Sequence, residues 1–346
     1  MNDAHARRAL QEELARFACR VHQPEDPPLF SREPRPAMQS HHWRWADLAP
    51  LLDKLGGNVE LGVQGPRRTL RLATPGLESG TTTTFWASIQ VILPGEVAGA
   101  HRHSASAFRF VMRGSGATTT VDGERYPMNE GDLVLTPAWT WHDHEYHGDA
   151  PMVWLDILDI SLMAKMDATF FEPHASTTQA VNALADASQR KFGSGLMRPA
   201  CRDEGSDANP VLVYPAAMAR ESLQRAADAI RDPVDDVRLE YQNPRTGGSA
   251  MRTMALSMQT LRPGFQGQRV RSTGSKLYYV VEGEGTTSIG GQDHDWSAGD
   301  FLAIAPWDWH AHRNHSRCDA VLFRVDDHPT MRALGFFREE NGTASA

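Results

Sequence analysis

The sequence predicts a mainly β protein made of two copies of one antiparallel β-sandwich or barrel domain, with helical segments before the first copy and between the two. Three observations carry this. From about Phe85 onward, short alternating apolar segments are punctuated by Gly, Pro and Asp, the pattern of antiparallel strands and tight turns. These segments recur: a shift of 169 places Pro94-Gly95 on Pro263-Gly264 and Gly114-Ser115-Gly116 on Gly283-Glu284-Gly285. A shift of 168 places Gly131-Asp132, Trp139, Trp141, His142 and His144 on Gly299-Asp300, Trp307, Trp309, His310 and His312, and two copies of one domain are the simplest explanation. Apolar residues at three- and four-residue intervals, the helical spacing, occur before the first copy, and helical, irregular sequence fills the stretch between the two.

Taken in order, Leu10, Leu14, Phe17, Ala18 and Val21 predict a first helix, and Trp43, Trp45, Leu48, Leu51, Leu52 and Leu55 a second one ended by Gly56-Gly57. Residues 1–70 are therefore expected to form a helical N-terminal arm, suited to docking or oligomer contacts more than to catalysis. The first β-domain is expected over 71–165. A helical and irregular linker that includes Pro215 to Ile230 spans 166–240, and the second β-domain spans 241–346.

A chain of 346 residues with 40% hydrophobic content is long enough for two cores of ordinary size. The net charge of −8 and the absence of basic blocks argue against a nucleic-acid or anionic-membrane partner. Cys19, Cys201 and Cys318 lie far apart and are odd in number, which fits a reducing compartment. Charges at Asp3, Arg7, Arg8, Glu12, Glu13 and Arg16 rule out a signal-peptide core there, and no apolar run approaches the roughly 18 residues of a membrane span. A cytoplasmic location is expected.

In the first copy, Gly95 is followed after five residues by His101 and then by His103. Gly131 is followed after five residues by Pro137, with His142 five positions further on. Two apart on a strand, His101 and His103 leave the same face of the sheet. A third histidine from a later hairpin completes one face of an octahedron and leaves the other positions open for substrate and oxygen. Gly114 and Gly116 flank one turn, Gly131-Asp132 mark the next, and Pro137 fixes the chain before the third histidine. A lone His-x-His is usually an ordinary surface or core pair; the glycines, the proline and the third histidine together point to metal.

Gly95-x5-His101-x-His103 and Gly131-x5-Pro137-x4-His142 resemble the two cupin motifs, over about Phe85 to Asp159, and are echoed in the second half. Many cupins add a glutamate ligand after the His-x-His pair. Phe108 occupies the corresponding place here, so the implied ligand set is three neutral histidines, unlike isomerase-like and oxalate-degrading cupins. Within the cupins, four segments resemble the gentisate 1,2-dioxygenase family with its salicylate and 1-hydroxy-2-naphthoate relatives. They are His101 through Phe110, Leu135 through His144, Trp154-Leu155-Asp156, and Tyr241-Gln242-Asn243-Pro244-Arg245-Thr246-Gly247-Gly248. The agreement runs over most of the chain.

The resemblance implies a bicupin: two jelly-roll (double-stranded β-helix) barrels with helical N-terminal and linker segments. It implies one Fe(II) per chain, held in the first cupin domain by His101, His103 and His142, and a homotetramer. It also implies opening of gentisate (2,5-dihydroxybenzoate) by O2, between the carboxyl- and hydroxyl-bearing carbons, to maleylpyruvate. Three neutral ligands leave the iron its double charge, which favours a substrate that offers one carboxylate and one phenolate oxygen.

Arg109 shares strand parity with the ligands, and its rigid fork suits the substrate carboxylate; the alternative is a salt bridge inside the barrel. The resemblance implies substrate contacts for Trp86 and His144. His144, in parity with His142, is a candidate hydrogen-bond donor or proton relay, or else a satisfied core histidine. Asp156 is implied at the substrate or as the group that orients a histidine ligand, and Arg67 or Arg68 as a further contact. Trp139 and Trp141 read as core packing.

Two departures keep a second substrate class open. Ile157 stands where the family usually has glycine, beside Asp156, and Ser88 lies near Trp86 on the strand that approaches the substrate. Both are candidate lining residues, and the alternative substrates are salicylate, its 5-nitro, halo or amino derivatives, and 1-hydroxy-2-naphthoate. A reading from another class is a non-catalytic ligand-binding cupin. Such a module would more readily have lost both ligand sets, whereas only the second copy has Val270 and Ser272 in place of His101 and His103 and keeps just His310 and His312. The second copy is expected to be structural.

Overall fold

The computed structural model describes residues 2–23, 25–58, 68–194, 196–197, 199–200 and 207–342, and the chain divides into two units, Met1–Arg35 and Pro36–Ala346. In the first unit, the helix Asn2–Ala15 covers the early part of the expected periodicity. It stops before Phe17 and Val21 because Ala18 takes a left-handed φ of 53° and the Cys19 N–H returns to the Leu14 carbonyl, which satisfies the helix end.

The described residues of the second unit form four antiparallel sheets, two for each barrel. In the first barrel, a six-stranded sheet runs in the order Val213–Tyr214, Leu133–Thr136, Ala107–Arg113, Met152–Leu158, Trp86–Ile92, Thr69–Arg71. Its five-stranded mate runs Phe171–Pro173, Val97–His103, His142–Tyr146, Ala117–Val121, Glu124–Met128. The second barrel repeats the scheme: His41–Trp43, Phe301–Ile304, Lys276–Glu282, Ala320–Asp326, Ala255–Leu261, Val237–Glu240, and then Gln292–Ser297, Glu284–Ile289, His310–Arg313, Val270–Ser272, Glu339–Asn341. Gly131 (φ 82°) and Gly299 (φ 97°) make the same left-handed turn in each copy. A side chain there would be strained, and at Gly131 a Cβ would also meet Ala216 Cβ at 2.8 Å.

The expected helical arm is only partly helical. His41–Trp43 is an edge strand of the second barrel, with His41 opposite Ala303, and the helix Trp45–Asn58 follows it. Asp300 fixes this junction by accepting the Trp45 N–H at 2.7 Å and pairing with His42 Nε2 at 3.0 Å. The linker likewise lends edge strands to the first barrel: Val213–Tyr214 pairs with Leu133–Val134, and Phe171–Pro173 with His101–His103. Covering a sheet edge in this way satisfies its backbone groups.

Side-chain alternation sorts the core into three clusters. Val111, Tyr126, Tyr146 and Trp154 fill the first barrel, and Tyr278, Trp296, Leu302 and Leu322 the second. The outer faces of the two six-stranded sheets meet in the largest cluster, where Ile89, Phe108, Phe110, Leu155 and Ile157 pack with Leu256, Leu277, Tyr279, Phe323 and Val325. Phe110 and Phe323 stack with ring centroids 4.4 Å apart. Because these sheets are buried on both faces, Phe108–Met112 reads apolar almost throughout, Arg109 excepted.

A reciprocal clamp joins the barrels. Asp159 accepts the Ser106 N–H at 2.8 Å and the Thr253 hydroxyl at 2.7 Å; Asp327 accepts the Ser275 N–H at 2.9 Å and the Thr84 hydroxyl at 2.6 Å. Each carboxylate holds a backbone amide of its own barrel and a threonine of the other. Burial raises both carboxyl pKa values, that of Asp327 to about 6.

Candidate metal centre and substrate wall

His101, His103 and His142 converge inside the first barrel, with one potential ligand nitrogen from each within 4.8 Å of the others. His101 lies opposite His142 across the strand pair, after a bulge that follows Ala98. The Nδ1 atoms lie 2.8 Å from the Gly99 carbonyl, 2.7 Å from that of Ala105 and 3.0 Å from that of Thr140, respectively. A carbonyl only accepts, so each Nδ1 carries the hydrogen and Nε2 is the nitrogen left to offer a lone pair. His142 Nε2 is buried with no hydrogen-bond partner. Burial above all, then the charges of His101, Arg109 and His103, holds its pKa well below the ordinary value. A neutral imidazole with a buried acceptor is what a divalent cation requires, so the residues fit a metal.

Phe108 turns away from this centre into the inter-barrel core. Its neighbour Ala107 shares parity with Arg109 on the inner face and carries no donor. Among the described residues no other group of three His, Cys, Asp or Glu side chains is placed to hold a metal.

The facing sheet forms a polar wall. Asp156 lies opposite both Arg109 and Ser88, Leu158 opposite Trp86, and Trp154 opposite Gln90, so Trp86, Ser88, Gln90, Arg109 and Asp156 share the inner face. Arg109 is 1% exposed. It donates from Nη1 to Thr136 Oγ1 at 3.0 Å, and its Nη2 lies 3.5 Å from Asp156 Oδ1. Its Nε has no hydrogen-bond partner. Burial lowers the Arg109 pKa and Asp156 opposes that. The salt bridge is real but long, and it leaves donor capacity on the fork. His144 is fully buried, 6.0 Å from the His142 ring and 5.9 Å from that of Trp154. Trp86 lies under the Arg71 guanidinium at 4.4 Å, and the Ser88 hydroxyl faces the Asp156 carbonyl at 3.4 Å.

Several expected positions are corrected. Ile157 does not line this wall: the alternation that turns Asp156 inward turns Ile157 outward, between Phe108 and Ala87, where it is 0% exposed in the inter-barrel core. Arg68 pairs with Glu96 in the turn that precedes Val97–His103, at the opposite end of that strand from the ligands. Arg67 lies outside the described residues. Trp139 and Trp141 are not core residues. Trp139 is 42% exposed, and the two indoles flank the Arg102 guanidinium at 4.5 Å each.

Sequence reasoning missed Gln90, which is buried with an unpartnered Oε1, and Thr136. The signal for Gln90 was present, since Trp86, Ser88 and Gln90 are the alternate residues of one strand.

In the second barrel, Lys276 occupies the degenerate centre. It is 3% exposed, donates to Ser272 Oγ at 2.6 Å, and burial pushes its pKa down to about 8. His312 Nδ1 meets Thr287 Oγ1 at 2.7 Å, and Arg324 Nε pairs with Asp326 at 2.9 Å. A buried lysine and, beside it, the ion pairs of Arg324 with Asp235 and Asp326 stand where the first barrel gathers histidines.

A cupin domain model matches residues 88–158 and again 257–326. Gentisate 1,2 dioxygenase 1 of Aquipseudomonas alcaligenes is 36% identical over 314 residues, which cover 90% of this chain and 89% of that protein. 5-Aminosalicylate 1,2-dioxygenase of Comamonas sp. is 36% identical over 338 residues, 96% of this chain and 89% of that protein. The crystal structure of salicylate 1,2-dioxygenase from Pseudoaminobacter salicylatoxidans as an adduct with gentisate has a TM-score of 0.92 and 31% identity, covering 99% of this chain and 96% of that one. With two cupin domains and this similarity along nearly its whole length, the chain belongs to the gentisate and salicylate 1,2-dioxygenase family of bicupin, ring-cleaving dioxygenases.

Proposed function

We propose that this chain is an Fe(II)-dependent dioxygenase that opens gentisate between its carboxyl- and hydroxyl-bearing carbons, both atoms of O2 ending in maleylpyruvate. One observation carries the reading: three imidazoles, each with its Nδ1 turned to a backbone carbonyl, converge opposite a buried arginine fork. Bound through His101, His103 and His142, Fe(II) would gather an ortho-hydroxy carboxylate and O2 and pass ring electron density to the oxygen. Arg109 then binds the substrate carboxylate and orients the ring, while Asp156 and Thr136 hold its guanidinium in place. Trp86 and Ser88 line the ring's approach. His144, on the inner face beside His142, is the group positioned to donate a hydrogen bond or take up the proton of the substrate hydroxyl.

Catalysis is assigned to 71–165, with 241–346 as metal-free support. The exposed side chains of Trp139, Phe170 and Phe171 support assembly into a homo-oligomer, a tetramer on the family resemblance. Cys19 and Cys318, both free thiols, are compatible with a reducing cytoplasm, and no helix among the described residues is long and apolar enough to cross a membrane.

The second reading is a salicylate 1,2-dioxygenase acting on salicylate or its 5-substituted forms. It is favoured by the similarity to a 5-aminosalicylate enzyme and by the small Ser88 on the inner wall. Oxygen uptake with gentisate, salicylate and 5-nitrosalicylate decides between them. Turnover of gentisate at the highest kcat/KM is expected, and turnover of salicylates without gentisate would overturn the substrate while leaving the chemistry intact.

A further inference from the structure

The residue between the two ligands of the His-x-His pair points out of the barrel, yet its surroundings are built as carefully as theirs. Arg102 is sandwiched between Trp139 and Trp141 at 4.5 Å from each ring, and its Nε and Nη2 both donate to Glu172 Oε2, at 2.9 and 2.6 Å. Trp139 adopts a left-handed φ of 62°, a strained conformation for a bulky residue. That geometry lets its amide donate to the His103 carbonyl at 2.8 Å while its indole covers Arg102. One guanidinium thus ties together three segments: the strand that carries His101 and His103, the loop that delivers His142, and the edge strand Phe171–Pro173, whose Phe171 stacks on His101 at 5.3 Å.

The same assembly stands in the second barrel. Arg271 lies between Trp307 at 4.5 Å and Trp309 at 4.7 Å and pairs with Glu340; Trp307 has φ 70°, and its amide meets the Ser272 carbonyl at 2.7 Å. The clasp therefore belongs to the barrel design. Only in the first barrel do the segments it joins carry a full set of ligands.

We propose that Arg102 is a positioning residue for the metal centre: by clamping the His101/His103 strand to the His142 loop from outside the barrel, it holds the three imidazoles at binding separation. The proposal rests on the reading of these histidines as a metal site. Its test uses the second clasp as an internal control. Purified full-length protein is stripped of metal and titrated anaerobically with Co(II), whose visible absorption reports ligand geometry, in the wild type, Arg102→Met and Arg271→Met, with Tm measured on the same samples.

Both variants should lose similar Tm. Arg102→Met alone should bind Co(II) on the order of 10-fold or more weakly, the range found when groups that orient metal ligands are removed. Arg102→Met with the wild-type Kd, or both variants weakened alike, would overturn the proposal. A wild-type protein that takes up no Co(II) would overturn the metal reading itself, and the proposal with it. If Arg102→Met does not fold, Glu172→Gln loosens the same guanidinium, and a wild-type Kd there would overturn the proposal equally.

Discussion

Replacing Arg109 by alanine separates its two roles. The side chain is 1% exposed and its Nη2 stands 3.5 Å from Asp156 Oδ1. At an effective dielectric of 20, two charges at that distance attract by about 5 kcal/mol. Removing the cation leaves Asp156 buried alone, and breaking such a pair costs about 3–5 kcal/mol of stability. The doubly substituted Arg109→Ala/Asp156→Asn protein should recover part of that loss, because no uncompensated charge remains. Neither change touches a ligand imidazole, so iron content should stay at the wild-type level. Substrate binding should not survive as well. Losing a two-pronged, charge-assisted contact costs about 2–4 kcal/mol, or about 30- to 1000-fold in KM, and the Asp156→Asn change cannot restore it. The assay combines oxygen-electrode kinetics with gentisate, iron analysis, and urea unfolding of both variants. A wild-type KM in Arg109→Ala would remove the residue from the substrate site and leave it as an internal ion-pair partner only.

Three further outcomes follow from the same geometry. Asp327 carries a folded-state pKa of about 6 against an ordinary 3.8. Its contribution to stability is therefore fully present below about pH 4 and lost as pH rises through 6, a change of about 3 kcal/mol. Asp327→Asn should gain stability relative to wild type by up to that amount between pH 4 and 8, and parallel unfolding profiles would contradict the assignment. Phe323→Ala opens the inter-barrel core against Phe108 and Phe110 and should cost about 3–5 kcal/mol in urea unfolding; a loss under about 1 kcal/mol would mean that the barrels do not share this core. His310→Ala lies in the barrel where Lys276 is buried against Ser272, so iron per chain should not change, and halved iron would point to a second centre.

Much of this architecture was legible because it repeats. The matched glycines, tryptophans and histidines point to two copies of one barrel, and period-two spacing places His101, His103 and Arg109 on inner faces that the structure brings together, joined by Asp156, which only the family resemblance had suggested. The same rule, applied one residue further, would have excluded Ile157. Its departure from the family pattern suggests a pocket residue, and parity sends that departure into the inter-barrel core.

The edge strands His41–Trp43 and Val213–Tyr214 are too short to display alternation, and what forms them is an open sheet edge elsewhere in the chain. Arg68 could not be placed because its partner, Glu96, lies 28 positions away. The Trp–Arg–Trp clasps are hidden in the sequence for a different reason. Tryptophan suggests burial, but these indoles are drawn to a guanidinium at the surface, and although Arg102 and Arg271 coincide under the repeat shift, spacing alone does not bring either to its tryptophans. The Asp159 and Asp327 clamps have matching positions too, but neither sequence segment reveals that its threonine comes from the opposite barrel.

The central claim is that three neutral histidines of the first barrel hold one ferrous ion with room beside it for an ortho-hydroxy acid. Anaerobic Fe(II) reconstitution of the wild type and His101→Ala, followed by optical titration with gentisate, tests it most directly. One iron per chain is expected in the wild type and none in His101→Ala, with a charge-transfer band appearing as gentisate binds. Iron retained by His101→Ala, or wild-type iron whose spectrum gentisate leaves unchanged, would contradict the account.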